Sequence, residues 1–130
     1  MEVRTHGLAS ERLVGRPLKV EPGYAEAELL TTEEMAVDEH GLVHGGFTFG
    51  LADYAAMLAV NEPTVVLGKA EVRFLKPVKA GDRLVARARI VDDLGRKKVV
   101  EAEVFRDGEP VFEGVFHCYV PERHVLERDG

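Results

Sequence analysis

Hydrophobic and polar positions along this chain follow two rhythms, and the change between them places its elements. Arg16 to Glu21 reads as a short strand closed by a Pro22-Gly23 turn. From Tyr24 to Thr31 the side chains alternate, Glu26 and Glu28 against Ala25, Ala27 and Leu29, which predicts a second strand. A polar loop follows from Thr32 to His44, with Gly41 inside it. Phe47 to Asn61 then abandons alternation. It is rich in Ala, Leu and Met and stops before Pro63, which predicts the one long helix. Glu62 is biased away from helix by the proline after it.

Alternation returns afterwards. Val65 to Leu75 sets Ala70, Val72 and Phe74 against Lys69, Glu71 and Arg73. Arg83 to Val91 sets Ala86, Ala88 and Ile90 against Arg87 and Arg89, and Leu94-Gly95 falls in the next turn. Lys97 to Arg106 sets Val100, Ala102 and Val104 against Glu101 and Glu103. Asp107-Gly108 is a strong hairpin signal, and Val111 to Val120 closes the set. Thr5 to Val14 reads as a short helix. One long helix and about six strands with short late connections predict an α+β fold, an antiparallel sheet over a helix.

A length of 130 residues with 45% apolar content suits one domain with a real core. That domain is expected over 1–130, with an N-terminal extension at 1–14 and a polar tail at 121–130. A single cysteine, Cys118, excludes an internal disulfide framework. The start lacks the apolar run of a signal peptide, and the longest near-apolar stretch, Phe47 to Val60, is too short to span a bilayer and carries Asp53. A cytoplasmic protein is the expectation. The absence of Gln, the single Asn61 and the 31% charged residues fit a thermophilic source.

Net charge is −6, unevenly spread: Gly68 to Val100 holds ten Lys/Arg against four Asp/Glu. A globally acidic chain is a poor nucleic-acid binder, but a local basic segment still suits a small phosphorylated ligand. The alternative is a set of solvated strand faces.

The predicted helix is apolar on every side, as buried helices are, and its one ionisable group is Asp53. Burying a lone carboxylate is costly unless it is paired or used, and burial raises its pKa, which is how catalytic carboxylates are often prepared. Asp53 is therefore either a reactive group or a structural one that caps backbone or pairs with a buried Arg. Leu42-Val43-His44-Gly45-Gly46 leads into the helix N-terminus, where open N–H groups and partial positive charge suit a carbonyl oxygen gaining negative charge. A tight turn needing positive φ is the alternative for these glycines. Gly45 and Asp53 stand eight residues apart, about 12 Å along a helix, so one reacting carbonyl carbon cannot touch both from one chain. Two helices antiparallel across a two-fold axis would bring Gly45 of one copy to Asp53 of the other.

His44-Gly45-Gly46, then an apolar helix, then Leu51-Ala52-Asp53 with the Asp nine residues after the His, resembles the signature of PaaI-like hot-dog-fold acyl-CoA thioesterases. Phe74-Leu75-Lys76-Pro77-Val78 followed by Gly81-Asp82 resembles the family's strand-to-turn segment, and the likeness covers roughly Arg16 to Tyr119. The resemblance implies a hot-dog fold, one long helix wrapped by a curved antiparallel sheet. It also implies homodimers, often paired into homotetramers, and hydrolysis of acyl-CoA without a metal or separate cofactor. By position, the Gly45 N–H polarises the carbonyl, Gly46 adjoins it, and Asp53 of the partner subunit activates water or attacks directly. His44 shapes the loop and contacts substrate.

Two positions depart from that pattern. Asp38 stands where the family often has an Asn that helps bind the carbonyl, and Leu67 stands where it often has Ser or Thr. Thr48 and Thr64 are the substitute hydroxyls. Arg96, Lys97 and Lys98, with Arg73 and Lys76, are candidates to hold CoA phosphates. His40 and His44 with Asp38 or Glu39 make a weak metal pattern that the intervening glycines argue against. Phe47, Phe49, Tyr54 and Met57 either line the acyl pocket or form core. Tyr119 and Cys118 read as packing residues, with His117 on the opposite strand face. A non-catalytic acyl-CoA-binding module, with no segment to bind DNA, and a related dehydratase or hydratase using His44 are the rival readings.

Overall fold

The computed structural model describes residues 1–127; positions 128–130 of the expected polar tail lie outside the described residues. The elements run β1 (Arg16–Glu21), β2 (Tyr24–Leu30), a 3-10 turn (Glu33–Met35), α1 (Gly45–Val60), β3 (Val66–Phe74), β4 (Arg83–Leu94), β5 (Lys97–Arg106) and β6 (Glu109–Tyr119). The strands form one antiparallel sheet in the order β1-β2-β4-β5-β6-β3. This is the expected α+β hot-dog architecture, in which α1 packs on the inner face, mostly against β2, β4 and β5.

Side-chain alternation decides which face of the sheet meets α1. Ala25, Ala27, Leu29, Leu84, Ala86, Ala88, Val100, Ala102 and Val104 point inward and are fully or almost fully buried. Small alanines in β2 and β4 let the helix lie close to the sheet. The large inward residues Phe112 and Phe116 come from β6. The outer face carries charge in register: Arg87 stands opposite Glu26 and Glu103, and Arg89 stands opposite Glu101. Glu28 is nearly buried between Arg16 and Arg83, which outweigh the desolvation that would raise its carboxyl and hold it below its usual range.

Three sequence expectations shift. Thr5 to Val14 forms no helix. A single helical turn closes from the Val14 N–H to the Ser10 carbonyl, 2.8 Å, and ends at Gly15 with φ +129°. A Cβ at Gly15 would lie 2.8 Å from both the Glu28 carbonyl oxygen and Leu51, so the chain needs glycine to enter β1 there. β4 continues past Val91 to Leu94 because a bulge between Ile90 and Asp92 resets its pairing with β5. The 32–44 loop is partly ordered by backbone bridges, Ala36 to Val43 and Leu42 to Lys79. The Asp107-Gly108 turn takes positive φ at both residues, 49° and 79°, as a tight hairpin needs.

Helix α1 ends on Asn61, in the left-handed region at φ 51°, where its N–H reaches the Met57 carbonyl. The 4%-exposed Asn61 side chain ties down the start of the chain. It accepts from the Arg4 N–H at 2.7 Å and donates to the Glu2 carbonyl at 2.8 Å. Asn61→Ala removes both bonds and strains the backbone, so a loss of about 2 kcal/mol is expected in chemical denaturation. Asn61→Gly keeps the backbone conformation and should lose roughly half as much. Equal losses would exclude backbone strain as a contributor.

Candidate active site

The N-terminus of α1 is built by His44. Its Nδ1 accepts from the Gly46 N–H at 2.8 Å, and its carbonyl accepts from the Phe47 N–H at 3.1 Å. Those bonds consume two of the open donors at the helix start. The Gly45 N–H has no protein acceptor among the described residues. Neither glycine has positive φ; both are helical, which rejects the tight-turn alternative. A side chain at 45 would instead crowd Phe74. The Phe74 ring lies where a Cβ would be 3.0 Å from it, so the aromatic edge covers the helix start closely. The groove in front of Gly45 is lined by Thr48, Leu42, Phe74, Leu75 and Lys76.

Asp53 projects from the middle of this helix, whose second half is otherwise buried. Its Oδ1 is buried and accepts no hydrogen bond, and burial pushes its carboxyl up to about 6. Among the described residues it pairs with no Arg and accepts no capping N–H, which leaves the structural alternatives of a cap or a buried ion pair without support. Gly45, Phe49 and Asp53 follow at four-residue steps and share one broad face of the helix. Gly46, Phe49, Gly50 and Asp53 on this side stay partly open, while Leu51, Ala52, Tyr54, Ala55 and Met57 are buried. A half-buried carboxylate pushed up to about 6 can take a proton from water near neutral pH.

The other predicted residues fall into three groups. Asp38 is exposed, and its Oδ1 accepts from the His40 and Leu42 N–H groups at 3.0 and 3.1 Å, which shapes the loop before the helix. Thr64 is committed to the Pro121 carbonyl at 2.7 Å, whereas Thr48 lines the Gly45 groove. Arg73 pairs with Glu113 at 3.5 Å, Lys76 with Glu109 at 2.9 Å and Arg96 with Glu122 at 3.8 Å; Lys97 has no ion partner among the described residues. The first two stand at the end of β3 and the last two at the β4–β5 hairpin, near the start of β3. Nine residues of strand put those clusters about 26 Å apart. Tyr54 and Met57 belong to the core, while Phe49 is partly open and packs on Phe112 and Phe116.

Phe74, placed by sequence in the strand-to-turn segment, and Cys118, read there as packing, both border the site. Cys118 is buried, and burial together with the Asp53 charge pushes its thiol up to about 12, so it is an inert neighbour of that carboxylate. Their inward positions were readable from alternation; their partners across the sheet were not. Among the described residues no group of three side chains could hold a metal ion, and no helix is long and apolar enough to cross a membrane.

Residues 40–113, which include both Gly45 and Asp53, match the Thioesterase superfamily. The structure of PH1136 from Pyrococcus horikoshii is 69% identical, with a TM-score of 0.97 and 98% of each chain covered. The E. coli PaaI protein is 26% identical, with a TM-score of 0.73, 80% of this chain and 81% of that chain covered. Transcription factor FapR of a Geobacillus species is 26% identical over 98% of this chain and 65% of its own length. A protein of Aquifex aeolicus named methylthioribose-1-phosphate isomerase is 54% identical over 89% of this chain. This chain spans just a quarter of that protein and under two thirds of FapR, so neither name transfers an activity to it. By the family match and by its fold, the chain belongs to the Thioesterase superfamily and has PaaI-like hot-dog architecture.

Proposed function

We propose that the chain hydrolyses an acyl-CoA thioester as a homodimer, itself able to pair into a tetramer. The observation that carries this reading is the unpaired, half-buried Asp53 carboxylate with its raised pKa, on the same helix as the uncommitted Gly45 N–H. The two groups complete one site only if they come from different copies. The free edge of β3 supports such pairing, since a nine-residue strand with an open ladder is a template for another strand. Phe74 touches Gly45, and the helix runs back toward the start of β3. Antiparallel pairing of two β3 edges would therefore carry the helix start of one copy toward the Gly68 end of the other, beside Cys118 and Asp53.

In that site the Gly45 N–H and the helix dipole stabilise the oxygen of the tetrahedral intermediate. Asp53 takes a proton from the attacking water. The carbon–sulfur bond then breaks, and the proton passes to the departing sulfur, giving free acid and CoA thiol. Direct attack by Asp53, with water cleaving the resulting anhydride, uses the same two groups. Thr48 lies in the groove as the hydroxyl able to orient water or carbonyl.

A second reading, binding of acyl-CoA without turnover, is favoured by the likeness to transcription factor FapR over nearly the whole chain. Thiol release from a panel of short, long and aromatic acyl-CoAs separates the two. Asp53→Ala should lower turnover at least about 100-fold. Near-normal turnover in that variant removes Asp53 from the mechanism. Because the ionised form is the active one, kcat/KM should fall tenfold per pH unit below about 6 and level off above it.

The same carboxylate should weaken the fold. Burial favours its protonated form, so its pKa is higher folded than unfolded. The folded state therefore gains stability at low pH and loses it as pH rises from about 4 through about 6. Asp53→Asn should raise stability at pH 8, by up to about 3 kcal/mol before discounting for partial solvent screening. Below pH 4 the gain should vanish. An equal gain over wild type at both pH values contradicts the buried-carboxylate account.

A further inference from the structure

The loop that delivers Gly45 to its groove leans on a second segment, and one arginine pins that segment. After Phe74 the chain leaves β3. The Leu75 and Lys76 N–H groups both reach the Val111 carbonyl, at 2.9 and 3.3 Å, and Pro77 then has no N–H to give. Bonding resumes at Val78, whose carbonyl accepts from the Val43 N–H at 2.8 Å. The Ala80 N–H reaches the Gly41 carbonyl at 2.8 Å, and Leu42 bridges to Lys79. Residues 78–80 therefore carry residues 41–43, which lead into His44 and Gly45. Phe74 closes the same frame from its other end, with its ring against Gly45. Residues 74–78 thus meet the helix start twice, once through a ring and once through a carbonyl.

Between those two contacts, the Pro77 carbonyl accepts one hydrogen bond among the described residues, from Arg106 Nη1 at 2.7 Å. Arg106 ends β5, and its side chain is 24% exposed. The same Nη1 reaches Asp82 Oδ2 at 3.3 Å, and Nη2 reaches Glu109 Oε1 at 2.9 Å. Each partner returns to the segment. Asp82 Oδ2 accepts from the Lys79 N–H at 2.8 Å, and Glu109 Oε2 accepts from Lys76 Nζ at 2.9 Å. Buried Thr31 fixes the far arm of the turn by donating to the Asp82 carbonyl at 2.7 Å. The near arm, from Lys76 to Val78, is fixed by Arg106. Two cations and two carboxylates close a neutral ring here, and a planar guanidinium serves three acceptors in set directions.

We propose that Arg106 is a positioning residue for the Gly45 N–H: it pins the Pro77 carbonyl and, through Val78 and Val43, sets where the helix start meets a substrate carbonyl. It touches no reacting group and acts through the loop. The catalytic consequence rests on the thioesterase reading; the coupling of Arg106 to the loop does not.

Amide hydrogen exchange followed by NMR tests the coupling without substrate. Arg106→Met keeps the stem and removes the donors. In it the Val43 and Ala80 amides should exchange at least about tenfold faster than in wild type, while the amides of Ala55 to Leu58 in α1 keep their rates. Arg106→Lys keeps the charge but not the fork and should fall between the two. Arg87→Met, at an arginine on the outer face away from this turn, should match wild type. With a hydrolysed acyl-CoA, kcat per folded site should drop at least about tenfold in Arg106→Met with KM within about twofold, because a displaced Gly45 N–H costs transition-state binding alone. The pH-rate inflection near 6 set by Asp53 should stay in place. General loosening would instead admit water to Asp53 and lower that inflection. Wild-type exchange at Val43, faster exchange spread evenly over helix and sheet, or unchanged kcat overturns the proposal. Should Arg106→Met not fold, Arg106→Lys carries the same comparisons. A wild type that cleaves no thioester defeats the hydrolase reading alone, and exchange at Val43 still decides the coupling.

Discussion

The constraint on which the rest of the structure depends is the burial of one carboxylate in an apolar helix. Helix α1 has nowhere to go but the inner face of the sheet, because its sides are Leu, Ala, Met, Phe and Tyr. Folding that helix inward takes Asp53 with it, away from most solvent and from any counter-ion. That burial pushes its carboxyl up to about 6. Everything around it is arranged so as not to relieve the strain. Arg73, Arg87 and Arg89 sit on the outer face, where Glu113, Glu26, Glu103 and Glu101 face them. The buried thiol of Cys118 offers no charge.

The helix start is organised by the same economy. His44 uses its ring nitrogen and its carbonyl to satisfy two adjacent N–H groups, and the donor left over is the Gly45 N–H. Phe74, at the end of β3, presses against that glycine and so links the helix start to the one long sheet edge that lacks a neighbour in the β3–β6 half. The separation of Gly45 from Asp53 then becomes an argument about assembly. Eight helical residues cannot be folded shorter, so on the proposed chemistry the second half of each site would come from another chain.

Much of this was readable in the residue order. The alternation Ala86, Ala88, Ile90 against Arg87, Arg89 gave β4 its faces, and Asp107-Gly108 gave its hairpin, because both are local consequences of strand geometry and positive φ. Asp53 stood out because a single charge in an apolar run has few innocent explanations. What was not readable depended on long-range contact. The Thr5–Val14 segment has helical composition, but Gly15 must turn against Leu51 and Glu28, and that neighbour is known only after folding. Likewise, Thr64 and Thr48 look alike in sequence; one is spent on the Pro121 carbonyl and the other faces the groove. The end of β4 was misjudged because a bulge is a pairing event between two strands.

The central claim is that each site is completed across two copies, and complementation tests it most directly. A Gly45→Val subunit and an Asp53→Asn subunit, each inactive alone, are co-expressed and the mixed dimers assayed for thiol release. Random pairing makes half the dimers mixed, each with one intact site, so about a quarter of wild-type activity should return. Continued inactivity in dimers verified as mixed would mean that the glycine amide and the carboxylate do not work together across the interface.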